Sequence, residues 1–167
     1  MNNIINKQQE IIINFLKKMK DENGISPEKI KTEAICSYTW LLNTDFNSVF
    51  SLDHFKNFIV ITVITKHFVD KNENDLLILF NALNRISYCG NMALYNDNKH
   101  NKNILLTNTN FYKSSTYSVD EIAHLIDKVF DWFNIYVVSG SYYFDDKMPV
   151  DEAIKKAKSS LKKRTIN

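Results

Sequence analysis

Four histidines, two cysteines and several adjacent carboxylates are the residues of this 167-residue chain best suited to chemistry. His54, His67, His100 and His124 could each ligate a metal, but none has a His or Cys partner at the four-residue spacing of helix-borne zinc sites. They read as surface histidines, and no metal site is expected. Asp53-His54 has the composition of a general-base pair. If the two share a strand, however, adjacent side chains point to opposite faces and cannot meet one substrate. A turn is the expected role. Cys36 and Cys89 could act as nucleophiles only beside a base that lowers the thiol pKa. Neither lies in a reactive signature, so both are expected to be buried, inert thiols. Asp120-Glu121, Asp145-Asp146 and Asp151-Glu152 sit where helices should begin, so they read as charges complementing helix dipoles, with Asp145-Asp146 equally readable as loop. Only three glycines occur and none are neighbours, which excludes a phosphate-cradling loop. No catalytic residue, cofactor or small-molecule substrate is evident.

Three further groups could bind rather than react. Asn81 and Asn84 lie three apart on one helix face, where they could bond a ligand, a partner strand or, as such residues more often do, the turn that follows their own helix. Tyr142, Tyr143 and Phe144 could stack on bases or a peptide, but behind a helix-stopping Gly140 they read as an aromatic connector lying over the core. The third group is cationic. Lys155, Lys156, Lys158, Lys162, Lys163 and Arg164 surround a narrow apolar seam of Val150, Ile154, Ala157 and Leu161. Such a helix could meet nucleic acid or an anionic membrane surface by releasing counter-ions. The same seam is what any helix needs to dock on its own domain.

Composition narrows the setting. Basic and acidic residues number 21 and 19, for a net charge of +2, so the molecule as a whole steers polyanions weakly. A hydrophobic share of 44% with 13% aromatics is that of a globular domain, and a chain of this length buries about 70% of its unfolded surface without disulfide staples. Two thiols make no disulfide framework, which favours a reducing, cytoplasmic setting. The longest apolar run near the start, Ile11 to Ile13, is too short for a signal peptide or a membrane span.

The elements that must position these groups follow from apolar spacing. Ile5, Ile12, Phe15, Leu16 and Met19 recur at helical intervals over Ile4 to Lys20. Gly24 can end that helix in a left-handed cap, and Ser26-Pro27 reads as a cap followed by proline at a first helical position. Thr32 to Leu42 fits either period, with its aromatics favouring a strand. Asn47 to Asp53 reads as a second short strand, and a turn at His54 to Asn57 leads into Phe58 to Val69, the strongest strand signal in the chain. There Phe58, Val60 and Ile64 share one face while Ile59, Ile61 and Val63 share the other. A strand apolar on both sides should be covered on both, by helices or by a helix layer and a second subunit. Asn74 or Asp75 should cap a helix buried through Leu76, Leu79, Phe80, Leu83 and Ile86. Met92 to Tyr95 and Ile104 to Thr107 read as a hairpin across a polar turn, Asn96 to Asn103. Ser118-Val119-Asp120-Glu121 is a capping box opening a long helix through Ile122, Ile126, Val129, Phe130, Phe133 and Val137.

Leu79-Phe80-Asn81-Ala82-Leu83-Asn84 at a helix end, Met92-Ala93-Leu94-Tyr95 and Ile104-Leu105-Leu106 on two hairpin strands, and the capped helix Ser118 to Phe133 together resemble the YbjN-type, sensory-transduction-regulator-like family. Its bacterial members are similar in fold to type III secretion chaperones. The resemblance covers about half the chain and implies a small α+β domain, often dimeric, that holds segments of partner proteins; the long hairpin turn and the basic last helix depart from it.

The expectation is therefore one domain over residues 1–167, α+β, with an antiparallel sheet of about five strands, helices packed on it, and a C-terminal amphipathic helix at 149–164. It should be a non-enzymatic, protein-binding domain, chaperone-like or regulatory, with a protein partner or a homodimer. Ile59, Ile61, Val63, Ile154 and Leu161 are its expected partner-binding residues. The alternative is a nucleic-acid or anionic-surface binder acting through Lys155, Lys156, Lys162, Lys163 and Arg164.

Overall fold

The computed structural model describes residues 2–23, 28–29, 36–42, 48–87, 90–96, 102–111 and 116–164. The caps expected at Gly24 and Ser26-Pro27, together with Cys89 and His100, lie outside them. The elements run α1 (Asn2–Asn23), β1 (Glu28–Lys29), β2 (Cys36–Leu42), β3 (Ser48–His54), β4 (Phe58–Thr65), α2 (Glu73–Asn84), β5 (Asn91–Asn96), β6 (Lys102–Phe111), α3 (Val119–Phe144) and α4 (Val150–Arg164). This is the expected α+β arrangement.

The strands form one antiparallel sheet in the order β1-β2-β3-β4-β6-β5. Five strands carry it, and β1 is a two-residue stub at one edge. The ambiguous segment resolves as a strand from Cys36 onward, paired along its length with β3. Asp53 and His54 close β3 instead of forming a turn, which falls just after them where the Phe55 amide bonds the Phe58 carbonyl at 2.9 Å.

Register decides which residues meet the helices. Phe50 faces Val63, Leu52 faces Ile61 and His54 faces Ile59, while Val63 and Thr65 face Leu106 and Ile104 on the other side. These residues join Ile12, Phe15 and Leu16 of α1, Leu76, Leu79, Phe80 and Leu83 of α2, the α3 stripe and Ile154 of α4 in a single core. Fully burying each of the larger apolar side chains contributes about 1.5–3 kcal/mol. The helices thus form one layer on one face of the sheet.

That arrangement corrects one expectation and selects between the alternatives of another. β4 ends at Thr65, four residues early, because Lys66 to Lys71 turn tightly: the Val69 amide bonds the Lys66 carbonyl at 3.1 Å, and Phe68 takes a φ of +60°. Of the covers expected for the apolar strand, helices lie on one face only among the described residues. Ile59, Ile61 and Val63 are fully buried, whereas Phe58, Val60 and Ile64 on the opposite face are only half-buried.

Helix ends follow capping chemistry. Asn72 rather than Asn74 or Asp75 caps α2, its side chain accepting from the Asn74 amide at 2.9 Å. Ile86, expected on the buried stripe, lies beyond that helix and is exposed. Ser118 and Glu121 form the expected capping box on α3, with bonds of 3.2 and 2.7 Å. Gly140 does not stop this helix, which continues through Tyr142 and Tyr143 to Phe144. A Cβ at Gly140 would collide with the Phe68 ring. Glycine costs a helix interior about 1 kcal/mol. Here it is the residue that lets Phe68 pack against the helix backbone.

Candidate functional site

Opposite the helix layer, the register lays out the sheet's other face in rows. Val49, Ile64, Leu105 and Ala93 occupy one row across β3, β4, β6 and β5. Beside it runs a polar row, Thr39, Ser51, Thr62, Thr107 and Asn91, with Ser37, Asp53, Val60 and Thr109 following. Val49, Val60, Ile64, Leu105, Ser51 and Thr107 are half-buried, Ala93, Asn91 and Thr109 are exposed, and Ser37 and Thr62 are buried. Among the described residues no helix belongs to this face. Hydrogen bonding is local at its far end, where the Ser37 hydroxyl donates to the Asp53 carboxylate and Ser51 lies 3.4 Å from its other oxygen. An apolar strip beside hydroxyls can seat a polypeptide segment by hydrophobic contact and side-chain hydrogen bonds.

Most of the residues that the sequence offers as partner-binding are enclosed in the core. Ile59, Ile61 and Val63 lie under the helices, and Ile154 is buried between α4 and the rest of the core, so none of the four can meet a partner in the folded domain. Leu161 is half-buried on the same α4 seam. A strand with period-two side chains and apolar residues on both faces offers no clue to which face the helices choose. Polarity in the neighbouring strands does: Ser51, Asp53, Thr107 and Thr109 all fall on the side without helices.

The cationic helix is tied to its own domain. Lys156 stands 4.2 Å from the Tyr142 ring centre and 4.0 Å from the Asp146 carboxylate, and Lys158 lies 5.5 Å from the Trp132 ring centre. Such cation–π contacts spend the charge on packing α4 against α3. Lys155 and Lys162 point to solvent, while the side chains of Lys163 and Arg164 lie outside the described residues.

The groups suited to chemistry are scattered. His54, expected at the surface, is fully buried on the helix side of β3, and that burial lowers its pKa to about 4. Asp53 beside it faces the opposite way, as the strand period requires. His67 sits in the β4–α2 turn with its pKa lowered by burial, an effect opposed by the charges of Asp145 and Asp70, and its carbonyl accepts from the Tyr136 hydroxyl at 3.0 Å. Phe68, Tyr136 and Phe144 close around it, with ring centres 5.2–5.9 Å apart from Phe68. His124 is exposed on α3. Among the described residues no three His, Cys, Asp or Glu side chains are placed to hold a metal ion, and no helix is long and apolar enough to cross a membrane. Asp120-Glu121 and Asp151-Glu152 occupy first helical turns, whereas Asp145 is the C-terminal cap of α3 and so does not complement a helix dipole there. The Cys36 side chain lies outside the described residues.

Two side-chain amides act as backbone clamps. Fully buried Gln8 donates to the Tyr117 carbonyl at 3.2 Å and accepts from its amide at 2.6 Å, pinning α1 to the start of α3. Asn84 treats Met92 the same way, at 3.0 and 2.8 Å, tying α2 to β5. Asn84 therefore serves the strand after its helix, and Asn81 is exposed.

The helix layer on one face of a β1-β2-β3-β4-β6-β5 sheet matches a solved structure, that of YbjN from E. coli, a candidate transcription regulator. The TM-score is 0.54 at 13% identity, over 78% of this chain and 92% of that one. The fold is YbjN-like. At that identity the likeness concerns the fold alone. No protein-family profile and no curated protein matches the chain. The face of the YbjN-like sheet away from the helices thus mixes half-buried apolar and hydroxyl side chains in register.

Proposed function

We propose that this YbjN-like domain is a non-enzymatic binding module of the cytoplasm, chaperone-like or regulatory, that works as a dimer and seats a segment of a partner protein on the helix-free face of its sheet. The observation that supports this reading most directly is the aligned row of Val49, Ile64, Leu105 and Ala93 beside the row of Thr39, Ser51, Thr62, Thr107 and Asn91. Half-exposed aliphatic groups in a continuous row gain from being covered, and the adjoining hydroxyls give orientation to whatever covers them. The description of YbjN as a candidate transcription regulator is compatible with a regulatory role. Glu121 is engaged in the capping box of α3 and Asp151-Glu152 lie in the first turn of α4, which supports a structural rather than a catalytic role for these carboxylates.

The test is recovery of the tagged protein from its native host, read by mass spectrometry, beside an Ile64→Lys/Leu105→Lys variant. A polypeptide recovered stoichiometrically with the native chain and lost with the variant, whose circular dichroism is unchanged, is the expected result. Equal recovery with both, or none with either, would overturn the reading.

A further inference from the structure

A cleft of about 340 Å³ opens in the helix layer where the first turn of α2 meets the end of α3 and the turn into α4, lined by Asp75, Tyr143, Phe144, Lys147, Met148 and Pro149. That volume falls at the lower end for small-molecule sites, about 300–1,000 Å³. It suits a small molecule rather than a polypeptide segment. The cleft lies among the helices, on the opposite side of the sheet from the face assigned to a partner.

Three chemistries meet in its lining, each from a different place in the chain. Asp75 of α2 brings the one carboxylate, half-buried beside the core residue Leu76. Burial raises the pKa of the Tyr143 hydroxyl and the Asp75 charge adds to the rise, so these two groups feel one another across the junction of α2 and α3. Phe144 brings the apolar wall. Its ring is held by Phe68 at 5.2 Å and Tyr143 at 4.8 Å between ring centres, with the Lys71 ammonium 5.8 Å from its centre. Lys147 brings the one cation of the lining, from a backbone that glycine would adopt more cheaply. Its φ is +57°, and the bonds of the Asp145 amide to the Ser141 carbonyl at 2.9 Å and of the Met148 amide to the Tyr142 carbonyl at 3.1 Å fix the turn around it. A side chain kept at such a position beside a cleft points to a use for it.

Among the described residues no ion pair joins Asp75 to Lys147, so opposite charges line one small cleft without neutralising each other. A simple cation there would meet Asp75 but be repelled by Lys147, and a simple anion would suffer the reverse. A molecule that carries both charges and an apolar tail uses the whole lining. We propose that the cleft binds a free α-amino acid with an apolar side chain, its ammonium on Asp75, its carboxylate on Lys147 and its side chain against Phe144, Met148 and Pro149. The Tyr143 hydroxyl, beside Asp75, accepts a further hydrogen bond from the ammonium. Both charges of the ligand are then met by charge-assisted bonds, and the fixed Phe144 ring presents its apolar surface without having to be ordered on binding.

The experiment is isothermal titration calorimetry of the full chain with L-leucine, L-methionine and L-phenylalanine, followed by the amide and the N-acetyl derivative of whichever binds most tightly. The amide lacks the carboxylate and the N-acetyl derivative lacks the ammonium. At least one of the three amino acids should bind saturably, and each derivative should bind about tenfold more weakly or worse, as loss of one charge-assisted bond implies. Lys147→Gly suits the left-handed backbone, so it should melt no lower than the native chain. In that variant the amino acid should fall to the affinity of its amide, while the affinity of the amide itself stays as it was. Asp75→Asn, with native circular dichroism, should bring the amino acid down to the affinity of its N-acetyl derivative. The proposal is overturned by the absence of saturable heat from all three amino acids at up to about 10 mM. It is equally overturned by an amide that binds as well as its parent, or by a Lys147→Gly chain whose affinity for the amino acid is unchanged.

Discussion

Val60 and Ile61 are consecutive aliphatic residues of one strand, and the fold treats them oppositely. Ile61 is fully enclosed by Leu52, the α-helical layer and its neighbours in the core, whereas Val60 lies half-buried on the face without helices, beside Asp53 on β3 and Thr109 on β6. The difference is set by neighbours rather than by the strand. On the helix side the flanking strands supply Phe50, Leu52, Ile104 and Leu106, with His54 and Asn108 as buried polar exceptions. On the other, hydroxyls and a carboxylate interrupt the apolar residues, so a helix docking there would bury polar atoms without partners at about 1–3 kcal/mol each. The first face is enclosed by the helices, and the second is the one the proposed function assigns to a partner.

The sharpest challenge to this contrast is Ile61→Ala, which leaves a cavity in a core with little room to collapse and should cost about 2–5 kcal/mol of unfolding free energy in a urea titration. If it costs no more than Val60→Ala, the two faces are not different in kind. Gly140→Ala comes next. The added methyl meets a Phe68 ring held by a left-handed backbone, so a loss of about 1–3 kcal/mol is expected. The double variant Gly140→Ala/Phe68→Gly should recover part of it by relieving both the clash and the backbone strain, although it forgoes the Phe68 packing.

Gln8→Ala tests a polar contribution to the buried side. It strips both hydrogen bonds from the Tyr117 peptide group and should cost about 1–3 kcal/mol in the same assay, with Gln8→Glu unable to restore the donor to the Tyr117 carbonyl while ionised. His54 gives the buried face a pH signature. Its folded pKa of about 4 lies below the ordinary 6.5, so the unfolded chain binds the proton more readily. Stability from this group is complete above about 6.5 and is lost as pH falls toward 4. His67, lowered by the same cause, adds in the same direction. Melting temperature should drop between pH 7 and 5 in the native protein, and His54→Gln should shrink that drop. Val60→Ala is the smallest expected change, below about 1 kcal/mol, because a half-exposed side chain gives up little buried area.

Much of the fold is legible along the chain because its signals are local. The Ser118–Glu121 capping box, the 3.6-residue stripes of α1, α3 and α4, and the hairpin strands at Met92 and Ile104 each depend on residues within a few positions of one another. Errors cluster where a distant contact overrides a local rule. Gly140 looks like a helix stop until Phe68, 72 residues away along the chain, uses its bare Cα as a packing surface. The Phe58–Val69 strand stops at Thr65 because the next residues must turn beneath Tyr136. Asn84 is readable as a tie to the following segment, but that it grips both backbone groups of Met92, and so orients the edge, is visible only in three dimensions.

The candidate site was far less legible. The unbroken apolar run marked β4 as the strongest strand, and the face chosen for a partner, that of Ile59, Ile61 and Val63, is the one the helices cover. Periodicity assigns residues to two faces but cannot label either as inside, since that label comes from the strands alongside and the helices that cover them. By itself the amino-acid sequence determined most of the elements, the Ser118–Glu121 capping box and the α+β class, all governed by spacing and short-range hydrogen bonds. Tertiary structure alone decided the strand order, the side the helices occupy, the burial of His54 and the capture of Lys156 and Lys158 by aromatic rings. Each of those depends on residues far apart in the chain, where entropy is lost once on closing the fold and no local pattern records the outcome.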